Sequence, residues 1–299
     1  MNGNAACAAL LPDSRLHLQH GPIDLVIDIR ADDESEVRRA RRQAIARFGD
    51  VLETLVSELS VLRSPLGLQQ PRLSGPVARR MLAACWPHRA VYLTPMAAVA
   101  GAVSDEILAA IVRGRDLRSA YVNNGGDIAL HLAPGESFRV GLAGIEDKRL
   151  HGVAEIPAEH GVRGVATSGW RGRSQSLGIA DAVTVLACDA AAADAAATLV
   201  ANAVNVDHPA VRRMPAREVR DGSDLGSLPV TVAVGALPIE AIAAALDAGA
   251  RAAQRLQRNG RIHAACLRLQ GRSRIVASRY DHMLKTIRLQ ETGEHAWPT

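Results

Sequence analysis

The chain has 299 residues and 48% hydrophobic residues, enough for one large domain or two small ones with a real core, and that apolar content excludes a disordered polymer. Only two Phe, three Trp and three Tyr are present, so the core must be aliphatic and a base-stacking surface of the single-strand-binding kind is not expected. The net charge is +4, lysine occurs only at Lys148 and Lys285, and the one dense basic run (Arg38, Arg39, Arg41, Arg42) reads as a solvated helix face, so no nucleic-acid partner is expected.

In chain order, Leu16, Leu18 and Ile23 to Ile29 predict two strands around His20-Gly21-Pro22. The acidic Asp33-Glu34-Ser35-Glu36 opens a long amphipathic helix, Ser35 to Leu62, ended by Ser64-Pro65-Leu66-Gly67. A short helix follows Gly75-Pro76. A mostly apolar helix runs from about Pro95 to Ile111 and stops near Gly114, with Ala97, Ala98, Ala100, Gly101 and Ala102 permitting close backbone approach. Ser119 to Val122 and Ile128 to Leu132 form strands around a tight-turn signal, Asn123-Asn124-Gly125-Gly126-Asp127. Further strands are expected at Phe138 to Leu142, near Val153 to Ile156, and at Gly164 to Ala166, the last leading into a Thr167-Ser168-Gly169 turn. Ala182 to Ala187 reads as a buried strand and Ala190 to Val204 as an Ala-rich helix. A charged loop, Asp207 to Ser227, precedes strand Val230 to Val234. The helix Ile239 to Arg258 is capped by Asn259-Gly260, and a hairpin, Ile262 to Leu269 and Ser273 to Ser278, closes the pattern.

Short hairpin-linked strands and few long helices predict an α+β fold, with mixed or antiparallel sheets packed against the helices rather than β-α-β alternation. No Pro/Ser linker divides the chain, which reads as a single domain over residues 1–299. The four cysteines, Cys7, Cys85, Cys188 and Cys266, make no CxxC pair and read as buried small residues in a reducing compartment. The Pro95 to Val112 segment comes closest to a membrane span, but Ser104, Asp105 and Glu106 interrupt it. Met1 to Pro12 lacks a basic n-region, so a cytoplasmic protein with no membrane partner is expected.

Four segments carry chemistry. In Tyr121-Val-Asn-Asn-Gly-Gly-Asp-Ile128, two glycines allow unusual φ and close approach of a ligand to the backbone, while Asn124 and Asp127 add polar atoms. In Val165-Ala-Thr-Ser-Gly169, the hydroxyls of Thr167 and Ser168 could hold a phosphate or a heteroaromatic edge. Asp181, just before a buried strand, needs a partner, either a cation or backbone amides. Asp194 and Thr198 are four apart on one helix face, oxygen donors of the kind a hard cation such as Mg²⁺ takes. Each segment also has a plain structural reading: a hairpin turn, a hydrogen-bonded turn, a strand-entry cap, and a solvated Asp beside a packed Thr. The histidines His20, His88 and His131 are scattered, and neither a nucleophile elbow nor a P-loop is present.

Taken together and in order, these segments resemble the ApbE superfamily, which includes magnesium-dependent flavin transferases that cleave FAD and attach FMN to a protein threonine. The matching residues are Val99-Ala-Gly-Ala-Val-Ser-Asp105, Asn124-Gly-Gly-Asp127, Thr167-Ser-Gly169, Val183-Thr-Val185 and Ala193-Asp-Ala-Ala-Ala-Thr198, so the likeness is strongest over residues 94–204. Arg15 to Asp24 and Gly178-Ile-Ala-Asp181 look closer to a compact, uncharacterised branch of that superfamily. The resemblance implies Mg²⁺ on Asp194 and Thr198, with Gly125, Gly126, Asp127, Thr167 and Ser168 lining a cleft for FAD or FMN. A magnesium ion there would bridge pyrophosphate oxygens and stabilise charge developing on the leaving nucleotide.

The chain departs from the transferases at two places. Their Lys-Gly is Ala100-Gly101 here, and their His-x-x-Asp-Pro loop is replaced by Arg171 to Gly178, where Arg171 and Arg173 could supply charge to a phosphate. The resulting expectation is an ApbE-like protein that binds a flavin nucleotide or similar phosphorylated small molecule, with Mg²⁺-dependent phosphoester transfer as its chemistry. Two alternatives stay open: a non-catalytic ligand-binding protein of the same fold, and an enzyme acting on a non-flavin substrate. A homo-oligomer is also left open.

Overall fold

Period-two and period-3.6 patterning build the elements directly. In chain order they are β1 (Cys7–Leu10), β2 (Leu16–His20), β3 (Ile23–Arg30), α1 (Glu34–Phe48), α2 (Val51–Ser57), α3 (Leu59–Leu62), α4 (Pro76–Cys85), α5 (Val99–Val112), β4 (Ser119–Asn124), β5 (Asp127–Leu132), β6 (Ser137–Ala143) and β7 (Leu150–Pro157). These are followed by β8 (Gly164–Ser168), β9 (Ala182–Ala187), α6 (Ala190–Ala203), β10 (Val211–Pro215), α7 (Ala216–Val219), β11 (Pro229–Val234), α8 (Ile239–Arg258), β12 (Ala264–Leu269), β13 (Arg272–Ala277) and β14 (Ile287–Leu289). The computed structural model describes residues 5–143, 150–172, 174–277 and 287–289. Arg173 and Ser278, named above, lie outside the described residues.

The chain divides into two compact units of interleaved segments. The first comprises residues 1–136, 161–166 and 187–195; the second comprises 137–160, 167–186 and 196–299. The α+β expectation holds: long helices accompany sheets whose strands pair antiparallel.

In the first unit the strands run β1-β2-β3-β4-β5-β8. Strands β2 and β3 bury every second side chain, Leu16 and Leu18 on one and Ile23, Leu25, Ile27 and Ile29 on the other, so one face of this sheet is core. Helices α1 and α5 cover strands of this sheet, and α5 also packs on α4. Asp33 caps α1 by accepting the Ser35 N–H at 2.7 Å, and Glu34 and Glu36 complement the helix dipole in the first turn.

The long helix expected from Ser35 to Leu62 is three pieces, α1, α2 and α3. It breaks at Gly49-Asp50, where Asp50 leaves helical geometry at φ −119°, and again at Glu58. Apolar spacing continues across both breaks, so periodicity alone could not reveal them. Glycine's low helix propensity marks the first.

Helix α5 begins after a 3₁₀ turn at Pro95–Ala98. Residues 95–112 are long and apolar enough to cross a membrane by length and composition, but half of that stretch is buried in the protein, as befits a core helix. Its buried Glu106 is held by Nε of Arg47 at 2.8 Å and Nε of Arg80 at 2.9 Å. Burial alone would raise this carboxyl; the two guanidiniums outweigh it and hold Glu106 below its ordinary value.

The second unit contains strands β9-β12-β13 with α8 against β12 and β13, the hairpin β10-β11, and the strands β14-β7-β6. Helix α8 ends as its sequence predicts. Gly260 takes φ +66°, its N–H reaches the Gln257 carbonyl at 2.9 Å, and Arg261 N–H reaches the Leu256 carbonyl at 2.9 Å, a Schellman closure. Sequence patterning misses β1, which is short, and β10, which lies inside the expected charged loop with alternate residues exposed. Of the cysteines, Cys85 and Cys266 are buried as expected, whereas Cys7 and Cys188 are exposed, and all four are free thiols.

Candidate functional site

The β4–β5 hairpin closes through a two-residue loop, Gly125-Gly126, with Asn124 opposite Asp127 in register. Both glycines take positive φ, +65° and +112°, as this tight turn demands. Asn123 Oδ1 accepts the Gly126 N–H at 2.8 Å and fixes the turn. Two more bonds dock the hairpin on α5: buried Asn124 donates from Nδ2 to the Ala100 carbonyl at 3.3 Å, and Ser104 Oγ donates to the Asp127 carbonyl at 2.9 Å.

The first turn of α6 belongs to the same unit and meets α5 backbone to backbone. A Cβ placed on Gly101 would lie 2.2 Å from the Ala190 carbonyl oxygen, so only glycine fits. Asp105, one turn further along α5, accepts the N–H groups of Ala190 at 3.0 Å and Ala191 at 2.8 Å, and Asp189 accepts that of Ala192 at 2.7 Å. Three of the four amides that a helix start leaves unbonded are thereby satisfied. Burial pushes the Asp105 carboxyl up to about 6, against the pull of the two amides and of Arg80.

Asp194 sits one turn into α6 and accepts the Gly101 N–H on Oδ2 at 3.0 Å. Burial, then the negative charge of Asp127, hold the Asp194 carboxyl well above the usual carboxylate range; the amides of Gly101 and Ala100 pull the other way. Asn124, Gly125, Gly126, Asp127 and Asp194 are therefore gathered around the start of α5. Among the described residues, no group of three or more His, Cys, Asp or Glu side chains is arranged to hold a metal ion. Mg²⁺ takes one or two carboxylates and completes its shell with water and phosphate oxygens, so two mutually repelling carboxylates fit that donor chemistry. Thr198, four residues on along α6, falls in the second unit.

In the second unit, Thr167 and Ser168 belong to strand β8 rather than to a turn; the chain turns after them, around Trp170 and Arg171. Thr167 Oγ1 lies 2.9 Å from Thr184 Oγ1 of β9. Asp181 has both kinds of partner that its position demands. Oδ2 accepts the Gln270 N–H at 2.5 Å in the β12–β13 turn, and Oδ1 faces Arg171 Nε at 3.7 Å. Arg171 stacks over Trp170, 4.3 Å from the ring centroid. Asp181 thus has the backbone amide and the cation that its position before a buried strand called for. Gly178 abuts α6, since a Cβ there would lie 2.0 Å from the Ala201 carbonyl oxygen.

A family model described as AbpE bacteria matches residues 8–275. The chain belongs to that family. Relatives include the UPF0280 protein of Methanothermobacter thermautotrophicus, 39% identical over 44% of this chain and 50% of that protein. The UPF0280 protein of Methanococcoides burtonii is 33% identical over 63% of this chain and 77% of that protein. The chain spans about half the length of the first of these relatives. A solved structure, the flavinyl transferase ApbE of Pseudomonas stutzeri, aligns at 13% identity over 93% of this chain and 95% of that one, with a TM-score of 0.43. Family membership bears out the ApbE-like resemblance drawn from the sequence.

Two residues of this site, Ser104 and Asp105, carried no assigned role in the sequence, whereas Gly101 was read as permitting close backbone approach, as it does. Gly101 stood within a small-residue run, a signal of close packing. Asp105 showed only as the acid ending that run, because its partners are backbone amides 85 and 86 residues away.

Proposed function

We propose that this member of the AbpE bacteria family binds a flavin nucleotide, or a phosphorylated ligand of similar chemistry, together with Mg²⁺, and transfers a phosphoester-linked group. The observation that carries this reading is Asp194, a desolvated carboxylate placed beside a second carboxylate, Asp127, and bonded to the amides at the start of α5. A site of that kind stabilises a hard cation better than it tolerates two bare charges. A bound Mg²⁺ would supply charge neutralisation at pyrophosphate oxygens. The Gly125-Gly126 turn, which lacks side chains, lets a ligand approach the backbone.

Ala100 stands where the resemblance places a lysine, so its positive contact with the nucleotide is missing and phosphate charge must be met chiefly by the cation. The test incubates the full chain with FAD and Mg²⁺ and follows AMP and FMN. Turnover that disappears in Asp194→Ala and on chelation supports the proposal. Flavin binding without products favours the ligand-carrier reading, and no flavin binding at all sends the search to a non-flavin substrate.

A further inference from the structure

One stretch of the first unit carries positive charge and no acid. Although 31 of the 299 residues are acidic, none lies between Glu58 and Asp105, where Arg63, Arg72, Arg79, Arg80 and Arg89 fall. The acids nearest to it are engaged. Glu58 accepts the N–H groups of Ser74 at 2.6 Å and Gly75 at 2.9 Å, Glu106 is held by Arg47 and Arg80, Asp50 is bonded to Arg47, and Glu53 lies 3.5 Å from His20. Arg63, Arg72 and Arg89 are exposed, and among the described residues none of the three forms an ion pair.

Two loops bring apolar side chains to the same place. Leu66 donates its N–H to the Leu93 carbonyl at 2.9 Å, and both side chains are buried. Leu68 follows two residues later, and Val91 and Tyr92 immediately precede Leu93, so all three lie within about 7 Å of chain from that bond. Leu68 is 99% exposed, Val91 53% and Tyr92 38%. Half-buried Trp86 carries Arg89 over its ring, 4.7 Å from the centroid. The loop that bears Leu68 is tied to the body at both ends, by Leu66 to Leu93 and by Ser74 and Gly75 to Glu58. A leucine exposed to this degree lines no groove for a peptide side chain; it projects, and burying it takes a soft apolar medium. Leucine at the tip, tyrosine and tryptophan beside it and arginines around them suit the boundary between acyl chains and anionic headgroups. A nucleic acid would use the arginines and leave Leu68 in water.

We infer that residues 63–72 and 86–92 form a peripheral contact for an anionic lipid surface, with Leu68 entering the acyl boundary and Arg63, Arg72 and Arg89 meeting the headgroup charge. A contact of this kind needs neither a spanning helix nor a leader segment, the two features whose absence from the sequence argued against a membrane partner. It stands or falls independently of flavin chemistry.

The full chain is mixed with vesicles of phosphatidylglycerol and phosphatidylcholine in equal parts, and with vesicles of phosphatidylcholine alone, and binding is read by flotation at about 0.1 M salt. Saturable binding to the anionic vesicles is expected, and at least about tenfold weaker binding to the neutral ones. Each arginine near such a surface is worth about fivefold in partitioning, so the double variant Arg63→Gln, Arg72→Gln should bind about 25-fold more weakly. Arg38→Gln, Arg42→Gln makes the same charge change at exposed positions of α1 and should stay within about threefold of the wild type. Leu68→Ser should cost about tenfold. Every substituted side chain is exposed, and circular dichroism checks that the variants fold. No binding to anionic vesicles, equal binding to neutral ones, equal losses in the two arginine pairs, or binding indifferent to Leu68→Ser overturns the inference. Poly-L-glutamate bound as tightly as the vesicles overturns it in favour of an acidic protein partner.

Discussion

The carboxylate of Asp194 reaches the backbone of Gly101 at 3.0 Å, joining two helices whose sequences are 93 residues apart. The bond is short enough only because Gly101 has no side chain. Gly101→Ala would drive a Cβ to within 2.2 Å of the Ala190 carbonyl and 2.8 Å of the Ala191 nitrogen, both rigid backbone atoms. Alanine's helix propensity would otherwise favour the change by about 1 kcal/mol. The overlap outweighs it, and we expect Gly101→Ala to lower stability by about 1–3 kcal/mol or more, read as a lower urea midpoint at unchanged slope.

Asp105 gives a pH signature. Burial lifts its pKa from the ordinary 3.8 to about 6 on folding, so the folded state binds the proton more tightly than the unfolded chain does. Stability from this group is therefore greatest below pH 4 and declines as the pH climbs to about 6, by on the order of 3 kcal/mol. Asp105→Asn removes the ionisation. It also replaces one acceptor oxygen by a donor facing an N–H group of α6, so at neutral pH it still loses one of two amide bonds. The difference in unfolding free energy between wild type and Asp105→Asn, followed from pH 4 to 7, should shift in the variant's favour as pH rises. A flat difference would show that Asp105 keeps an ordinary pKa.

Local elements were legible in the sequence because their causes are local. The Gly125-Gly126 hairpin, the Asp33 cap and the Asn259-Gly260 stop depend on residues within one turn of each other. The breaks at Gly49-Asp50 and Glu58 were hidden, since both sides share one apolar face. So was the division into two units. The chain crosses between them inside β8 and again inside α6, and no linker composition marks such crossings. At the candidate site, spacing singled out Asp194 and the glycine turn as candidates but could not supply Asp105's partners. Asp181 was visible as a carboxylate in want of a partner, yet its partner Gln270 is 89 residues away.

Asp194 also separates fold from function. Asp194→Asn removes a desolvated charge that Asp127 opposes, while its amide oxygen can still accept the Gly101 N–H. We expect the variant to match or exceed the wild type in thermal stability without added metal. Mg²⁺ at about 100 times its dissociation constant should stabilise the wild type by about 2.7 kcal/mol and leave Asp194→Asn unmoved. Equal Mg²⁺ responses in the two proteins would remove Asp194 from the metal site while leaving its packing role intact.

The last expectation concerns Asp181, where ligand binding and turn closure predict different outcomes. Its carboxylate takes the Gln270 N–H, and Gln270, at φ +43°, in turn accepts the Leu237 N–H at 3.0 Å and donates to the Gly235 carbonyl at 2.7 Å. Asp181→Ala leaves the Gln270 amide without this acceptor, so a loss of about 1–3 kcal/mol is expected. Hydrogen exchange should speed up at Gln270 and its neighbours in the β12–β13 turn, whereas exchange at the Gly125-Gly126 turn should not change. Any flavin affinity should then survive in Asp181→Ala at temperatures where the variant is folded. A variant of native stability with lost flavin binding would instead make Asp181 a ligand group and its bond to Gln270 incidental.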